Sequence, residues 1–268
     1  MWQPLIERFA PRFRLLAWDY RGLYASGPSR RRAYGIERHA RDLLQLLDHE
    51  GVEAPVLLGW SMGVQVMLEA HRADPALARG LVAIHGTPGH PLQTAFGTDV
   101  MERILAPISL VMRGAGRRFA HAAPGLARSR LVAKTFVWAS QRLGWMAPDI
   151  DLERFQDVAA EWLGLDLGIY AEIFRRMGEH DASDLLATIR APALIIAGGR
   201  DRFTPSEIAR EMAGAMPAAR LELLPGATHF GLIEYPDEIA GAVERYLSDA
   251  LRIPAPAPDE AGSGSSRR

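Results

Sequence analysis

Three residues of this chain have the types and the order needed for nucleophilic acyl chemistry. Gly59-Trp60-Ser61-Met62-Gly63 sets a serine between two glycines. It follows the apolar run Val56-Leu57-Leu58 and precedes a helical pattern over Val64–Ala73. A strand-to-helix turn that tight needs small flanking residues. It presents Ser61 on a strained corner at the carboxyl end of the strand, as a nucleophile elbow does. The helix N-terminus beyond it offers N–H groups and the positive dipole end to a developing oxyanion. A serine needs a base, and the base needs an orienting acid. Asp201 lies in Gly199-Arg200-Asp201-Arg202-Phe203-Thr204-Pro205, just past the apolar run Ala193–Gly198. His229 lies in Pro225-Gly226-Ala227-Thr228-His229-Phe230-Gly231, just past Arg220–Leu224. Each has a plainer reading alone: a chance glycine–serine pattern, a turn aspartate, a surface or core histidine. Together they follow the order serine, acid, histidine that this elbow requires. They also share the carboxyl edge of the sheet, where open α/β folds place their sites.

The elements that must carry them alternate in kind. Arg14–Asp19, Pro55–Trp60, Leu81–His85, Ala193–Gly198 and Arg220–Leu224 read as buried parallel strands. Ile36, Ala40, Leu43, Leu44 and Leu47 fall on one helical face, and Ile239, Val243, Leu247 and Leu251 on another. Val64–Ala73 and Ile208–Met216 are helices stopped by Pro75 and Pro217. This predicts an α/β fold, a mostly parallel sheet covered by helices on both faces. One interval, Thr87 to about Asp184, carries no strand signal. Helical stretches over 99–111, 129–143, 152–163 and 168–177 make it a helical cap, since a structureless loop that long is improbable. The expected division is a core over 1–86 and 185–252, a cap over 87–184, and a disordered tail over 253–268.

Composition removes several other functions. The chain has 268 residues, 48% hydrophobic and 24% charged, so it can bury a sizeable core. A net charge of −1 gives no broad footprint for nucleic acid or an anionic membrane. No apolar run of about 18 residues supports stable membrane insertion, and the N-terminus lacks the pattern of a secretory signal. The absence of cysteine excludes disulfides and a thiolate nucleophile, and it fits a cytoplasmic protein. Eight histidines show no metal-ligand spacing, and His85 and His90 flank a Gly/Pro turn rather than a metal site. Arg113, Arg117, Arg118, Arg128 and Arg130 read as a solvated face, Lys134 being the sole lysine of an arginine-biased chain. Gly114-Ala115-Gly116 follows a helical pattern and is no phosphate loop. Trp138, Trp145, Trp162, Met101, Met112 and Met146 can line an acyl pocket under the cap or simply form its core. The substrate-binding candidates are Trp60, Trp138 and Trp162.

With these motifs the sequence resembles the α/β-hydrolase superfamily, in its cap-bearing, serine esterase-like branch. The resemblance spans most of Trp2–Leu251. It includes Trp18-Asp19-Tyr20-Arg21-Gly22…Ser26-Gly27, similar to the family's D-x-R-G-x-G-x-S loop, with Tyr24 at the usual second glycine. It also includes Gly199-Arg200-Asp201…Thr204-Pro205 and His229…Glu234-Tyr235-Pro236. The resemblance implies Ser61 as nucleophile, His229 as base, Asp201 as acid and the Met62 backbone N–H as an oxyanion donor. It implies no cofactor and no metal. Serine at position 61 argues against the dehalogenase and epoxide hydrolase branches, which carry aspartate there. The family's third strand and its His-Gly loop, source of the second oxyanion donor, have no match here. The resemblance therefore implies an N-terminally shortened version of a longer protein, by about 30 residues, the alternative being a genuine 268-residue chain with the fifth strand shifted or the gap filled by a partner. It also implies a gap in the sheet with unpaired backbone groups. One absent donor lowers turnover by roughly a hundred- to thousandfold in a studied serine protease.

The expected function is hydrolysis of carboxylic esters through an acyl-enzyme, on a small molecule with a hydrophobic acyl or alkyl group. C–C hydrolysis, lactone opening and perhydrolysis use the same triad and stay open. So does a hydrolase-derived protein that binds a ligand without catalysis. Oligomeric state is not legible.

Overall fold

The computed structural model describes residues 1–95, 130–148, 150–163 and 165–253. Its sheet has four strands, β1 (Val56–Trp60), β2 (Gly80–Ile84), β3 (Ala193–Gly198) and β4 (Ala219–Leu224), in that spatial order. All three pairings are parallel, with Val56 opposite Gly80, Leu81 opposite Ala193, and Ala193 opposite Ala219. Every residue of β2 and β3 is buried. This is why the two read as continuous apolar runs rather than alternating ones.

Helices cover both faces. On one, α2 (Ile36–His49) and α3 (Met62–Ala73) pack Leu43, Leu47, Val64 and Leu68 against Leu81, Ala83 and Ile195. On the other, α1 (Gln3–Phe9) brings Leu5 and Phe9 to Val82, Ile84, Leu194 and Ile196. The alternation along β2 and β3 assigns successive residues to opposite cores.

Between β2 and β3 lie α4 (Pro91–Thr94), α5 (Arg130–Arg142), α6 (Leu152–Leu163), α7 (Leu167–Glu179) and a 3-10 turn (Ser183–Thr188). After β3 come α8 (Ser206–Ala215), β4, α9 (Gly231–Glu234) and α10 (Pro236–Asp249). The helical insertion leaves and rejoins the core at one point. Gly89 bridges Asp181, the His90 N–H donates to the His180 carbonyl at 3.0 Å, and that of Ala182 to Pro88 at 3.0 Å. The helix expected over 99–111, Met101, Met112, Arg113, Gly114–Gly116, Arg117, Arg118, Arg128 and the tail from Pro254 lie outside the described residues. No described helix is long and apolar enough to cross a membrane.

One expected strand is corrected. Arg14–Asp19 has no regular secondary structure, and its backbone pairs with no described strand. The outer edge of β1 likewise has no strand partner among the described residues. The apolar side chains of a strand are present at 14–19, but a ladder needs a neighbour to accept and donate its hydrogen bonds. The two segments instead form walls of one cavity of about 1670 Å³ that also reaches Ser61.

Candidate active site

β1 ends at Trp60 and α3 begins at Met62, so Ser61 alone makes the corner. Its φ of 54° and ψ of −120° are strained for a residue with a side chain. Two hydrogen bonds hold it: the Ser61 N–H donates to the Ile84 carbonyl, and the Val64 N–H to that of Ser61, both at 3.0 Å. The close approach depends on Gly59, where a Cβ would lie 2.5 Å from the Gly63 carbonyl oxygen. The amide of Met62, first residue of α3, has no partner within its helix. It directly follows Ser61 in the chain, and a helix-start amide there can serve a developing oxyanion.

His229 reaches Ser61 from the loop after β4. Its Nε2 is 3.0 Å from Ser61 Oγ, and its Nδ1 is 2.9 Å from Asp201 Oδ2. With Asp201 ionised, Nδ1–H donates to the carboxylate and Nε2 is left to accept the serine proton. The ring is packed between those of Trp60 and Phe203, each 5.2 Å away centre to centre. Trp60 Nε1–H also donates to the His229 carbonyl at 3.1 Å. Glu234, in α9, ties this loop to the insertion. Its carboxylate accepts from the Thr228 amide and hydroxyl at 2.8 and 2.7 Å, and from the Ala147 amide at 2.8 Å.

Asp201 is buried and saturated with donors. Oδ1 accepts from the amides of Phe203 and Thr204 at 2.8 and 2.9 Å, and Oδ2 from Thr204 Oγ1 at 2.7 Å. Burial alone would raise its pKa. The charges and hydrogen bonds of His229, and then of His85, outweigh burial and hold it far below the usual carboxylate range. An acid that stays ionised is what orients an imidazole and stabilises imidazolium.

The structure thus brings Ser61, His229, Asp201 and the Met62 amide together. Trp60 and Trp162 line the same cavity, Trp162 lying 6.0 Å from the Phe230 ring. Trp145 and Met146 line it too. Trp138 does not, which corrects its expected place in a substrate pocket. Trp138 is 59% exposed, with the Arg142 guanidinium 5.3 Å over the ring. It follows the buried Val137 by one position on α5, and one helical step of about 100° turns it to the outside. Among the described residues no cluster of three metal-ligating side chains occurs.

Thr204, Glu234 and His85 were not singled out as site residues by sequence reasoning. Thr204 had a signal: Asp201 and Thr204 have the i, i+3 spacing with which an aspartate caps a turn. His85 follows a strand at the catalytic edge, the same slot that selected Asp201 and His229.

A parallel sheet with a serine on a strand–helix corner at its carboxyl edge defines a class, the α/β enzymes that hydrolyse through that corner. The chain belongs to the alpha/beta hydrolase family, whose sequence model matches residues 1–242. Polyketide synthase ThaQ of Burkholderia thailandensis is 28% identical over 257 residues, 94% of this chain but only 11% of that one. Putative carbamate hydrolase RutD of Caulobacter sp. is 24% identical, over 92% of this chain and 85% of that protein. The pimeloyl-[acyl-carrier protein] methyl ester esterase of Yersinia pestis is 22% identical, over 93% and 88%. Among solved structures, the enol-lactonase of Burkholderia xenovorans LB400 shares the fold with a TM-score of 0.69, at 21% identity over 92% of this chain and 86% of that one. The chain is a hydrolase, similar to proteins named as esterases and carbamate hydrolases.

Proposed function

We propose that the protein is a serine hydrolase of carboxylic esters, with Ser61 as nucleophile, His229 as general base and acid, and Asp201 as orienting acid. The observation that carries this reading is the continuous hydrogen-bonded line Ser61 Oγ–His229–Asp201, 3.0 and 2.9 Å long, opening on an apolar cavity. Ser61 Oγ attacks the ester carbonyl while its proton passes to His229 Nε2. The Met62 amide hydrogen-bonds the resulting oxyanion. Collapse expels the alkoxide, which takes the proton from His229, and leaves an acyl-serine. Water then gives a proton to His229 and attacks the acyl carbon, and the acid departs as Ser61 regains its proton.

The substrate reading follows from the lining. Trp60, Trp162, Met146 and Phe230 offer rings and a thioether rather than charge. They suit a small molecule with a hydrophobic acyl or alkyl group. The pimeloyl methyl ester esterase among the relatives favours esters over C–C bonds or peracids, while lactones share the same acyl chemistry. The reading needs no cofactor, metal or nucleic acid, and the cysteine-free sequence suits the cytoplasm.

A fluorophosphonate probe tests the nucleophile. The folded chain becomes covalently labelled, and Ser61→Ala abolishes the labelling. A folded chain that takes no label points instead to a ligand-binding descendant of hydrolases. A series of p-nitrophenyl esters tests the substrate: kcat/KM rises with acyl length if the apolar cavity holds the acyl group.

A further inference from the structure

The mechanism above uses one imidazole, yet two lie against the same carboxylate. His85 directly follows β2, and its side chain is fully buried. Its Nδ1 is 3.3 Å from Asp201 Oδ2, the oxygen that His229 Nδ1 approaches at 2.9 Å. The two rings stand 6.3 Å apart, close to edge-on.

The space for His85 is closely fitted. A Cβ on Gly231 would fall 2.2 Å from its Nε2, and one on Gly198 would fall 3.0 Å from its Cε1. The backbone is left-handed at His85, with φ 46°, and its N–H donates to the Ile196 carbonyl at 2.9 Å. Neither ring nitrogen makes a hydrogen bond, so the approach of Nδ1 to Asp201 Oδ2 is an electrostatic contact at 3.3 Å. An apolar side chain of similar size would fill this site without the cost of burying an imidazole. A polar ring at a strained position is therefore poorly explained by packing alone.

We infer that His85 is a positioning residue for the hydrolytic site, a buried imidazole that shares the charge of Asp201 and so limits how strongly that carboxylate holds a proton on His229. This rests on the His229–Asp201 pairing proposed above. In the Nδ1–H tautomer the positive end of the His85 N–H dipole lies 3.3 Å from Oδ2, while Thr204 donates a hydrogen bond to the same oxygen from its own loop. Both draw negative charge away from His229. Removing His85 returns that charge to the His229 bond and favours the imidazolium form.

The groups that face His229 among the described residues are few. Asp201 and Thr204 come from the loop after β3, His85 from the end of β2, and Ser61 and Trp60 from the corner after β1. Phe203 and Phe230 present rings. The Glu234 carboxylate is turned to Thr228 and Ala147. Asp201 is thus the anion in contact with His229, and His85 the second imidazole on that anion.

The test is an NMR titration of the His229 imidazole in the full chain, read from its ring nitrogens without need of turnover. His85→Leu raises the midpoint by about half to one pH unit. His85→Asn, whose amide nitrogen falls near the position of Nδ1, keeps the wild-type midpoint. Where His85→Leu fails to fold, His85→Gln replaces it, because its amide lies one bond further on and misses Oδ2. The expected melting temperature of His85→Leu equals or exceeds that of the wild type. Equal His229 midpoints in the wild type and in every folded variant would overturn the inference and leave His85 as a space filler. Fluorophosphonate labelling of the same samples keeps the two readings apart. A chain that titrates as expected but takes no label loses Ser61 as nucleophile and keeps His85.

Discussion

Asp201 shows how much of the site is decided by one side chain. Its four hydrogen-bond donors, two amides, one hydroxyl and the His229 imidazole, with the His85 ring in contact at 3.3 Å, favour the carboxylate over the neutral acid. Asp201→Asn keeps the shape but can donate to Nδ1, which leaves the proton on Nε2 and blocks acceptance from Ser61. The expected loss in kcat is about 10⁴-fold with little change in KM, checked by steady-state kinetics. A second residue sets a different pH response. His39 is buried on α2, 4.8 Å from the Tyr20 ring centre, and burial pushes its pKa down to about 4. The unfolded chain binds this proton near pH 6.5, so it holds more protons than the native state between about pH 6.5 and 4. Stability from His39 is present above that window and is lost as the pH falls through it. His39→Leu therefore raises the melting temperature more at pH 5 than at pH 8, which scanning calorimetry resolves.

The strand–corner–helix unit explains why the two glycines of the serine motif are unequal. At Gly59 a Cβ would meet backbone on three sides, the Gly63 oxygen and carbon and the Val64 nitrogen, all under 3.0 Å. At Gly63 it would meet only the Tyr20 hydroxyl, at 3.4 Å. Gly59→Ala therefore costs about 1–3 kcal/mol in denaturant unfolding and displaces Ser61. Gly63→Ala stays close to the wild type in both stability and labelling. The motif pattern treats the pair alike, and only the path of the backbone separates them. Val56–Trp60, Ala193–Gly198 and the helix over 152–163 were legible because burial on both faces, or one apolar stripe, leaves a periodic trace. Asp201 and His229 were legible because each loop follows such a strand. Trp138 was misplaced because residue type says nothing of the helical step that turns it outward. Thr204 has a local trace in its i, i+3 spacing to Asp201, whereas the approach of His85 to Asp201 joins residues 116 apart in sequence, which no local pattern reports.

At the scale of the whole molecule, the sheet is strong in the middle, and among the described residues β1 has no strand partner on its outer edge. β2 and β3 are buried along their full length, with a strand on each side and helices above and below. Arg14–Asp19 carries the same kind of sequence, but its peptide groups at 15–18 make no backbone hydrogen bond among the described residues. Leu15 and Leu58, both lining the cavity, are 43% and 37% exposed. Hydrophobic side chains alone do not protect an amide; a closed hydrogen bond does. Hydrogen exchange should therefore split two segments that composition makes alike. Amides of Leu15–Trp18 exchange close to the unprotected rate, whereas those of Ala193–Gly198 wait for opening of the sheet and exchange at least about a thousandfold more slowly. Slow exchange at 15–18 would show that this segment is hydrogen-bonded in solution. Fast exchange there, with slow exchange in the strands bearing the Ser61, Asp201 and His229 loops, would show that the rigid part of the sheet is the part that positions the chemistry.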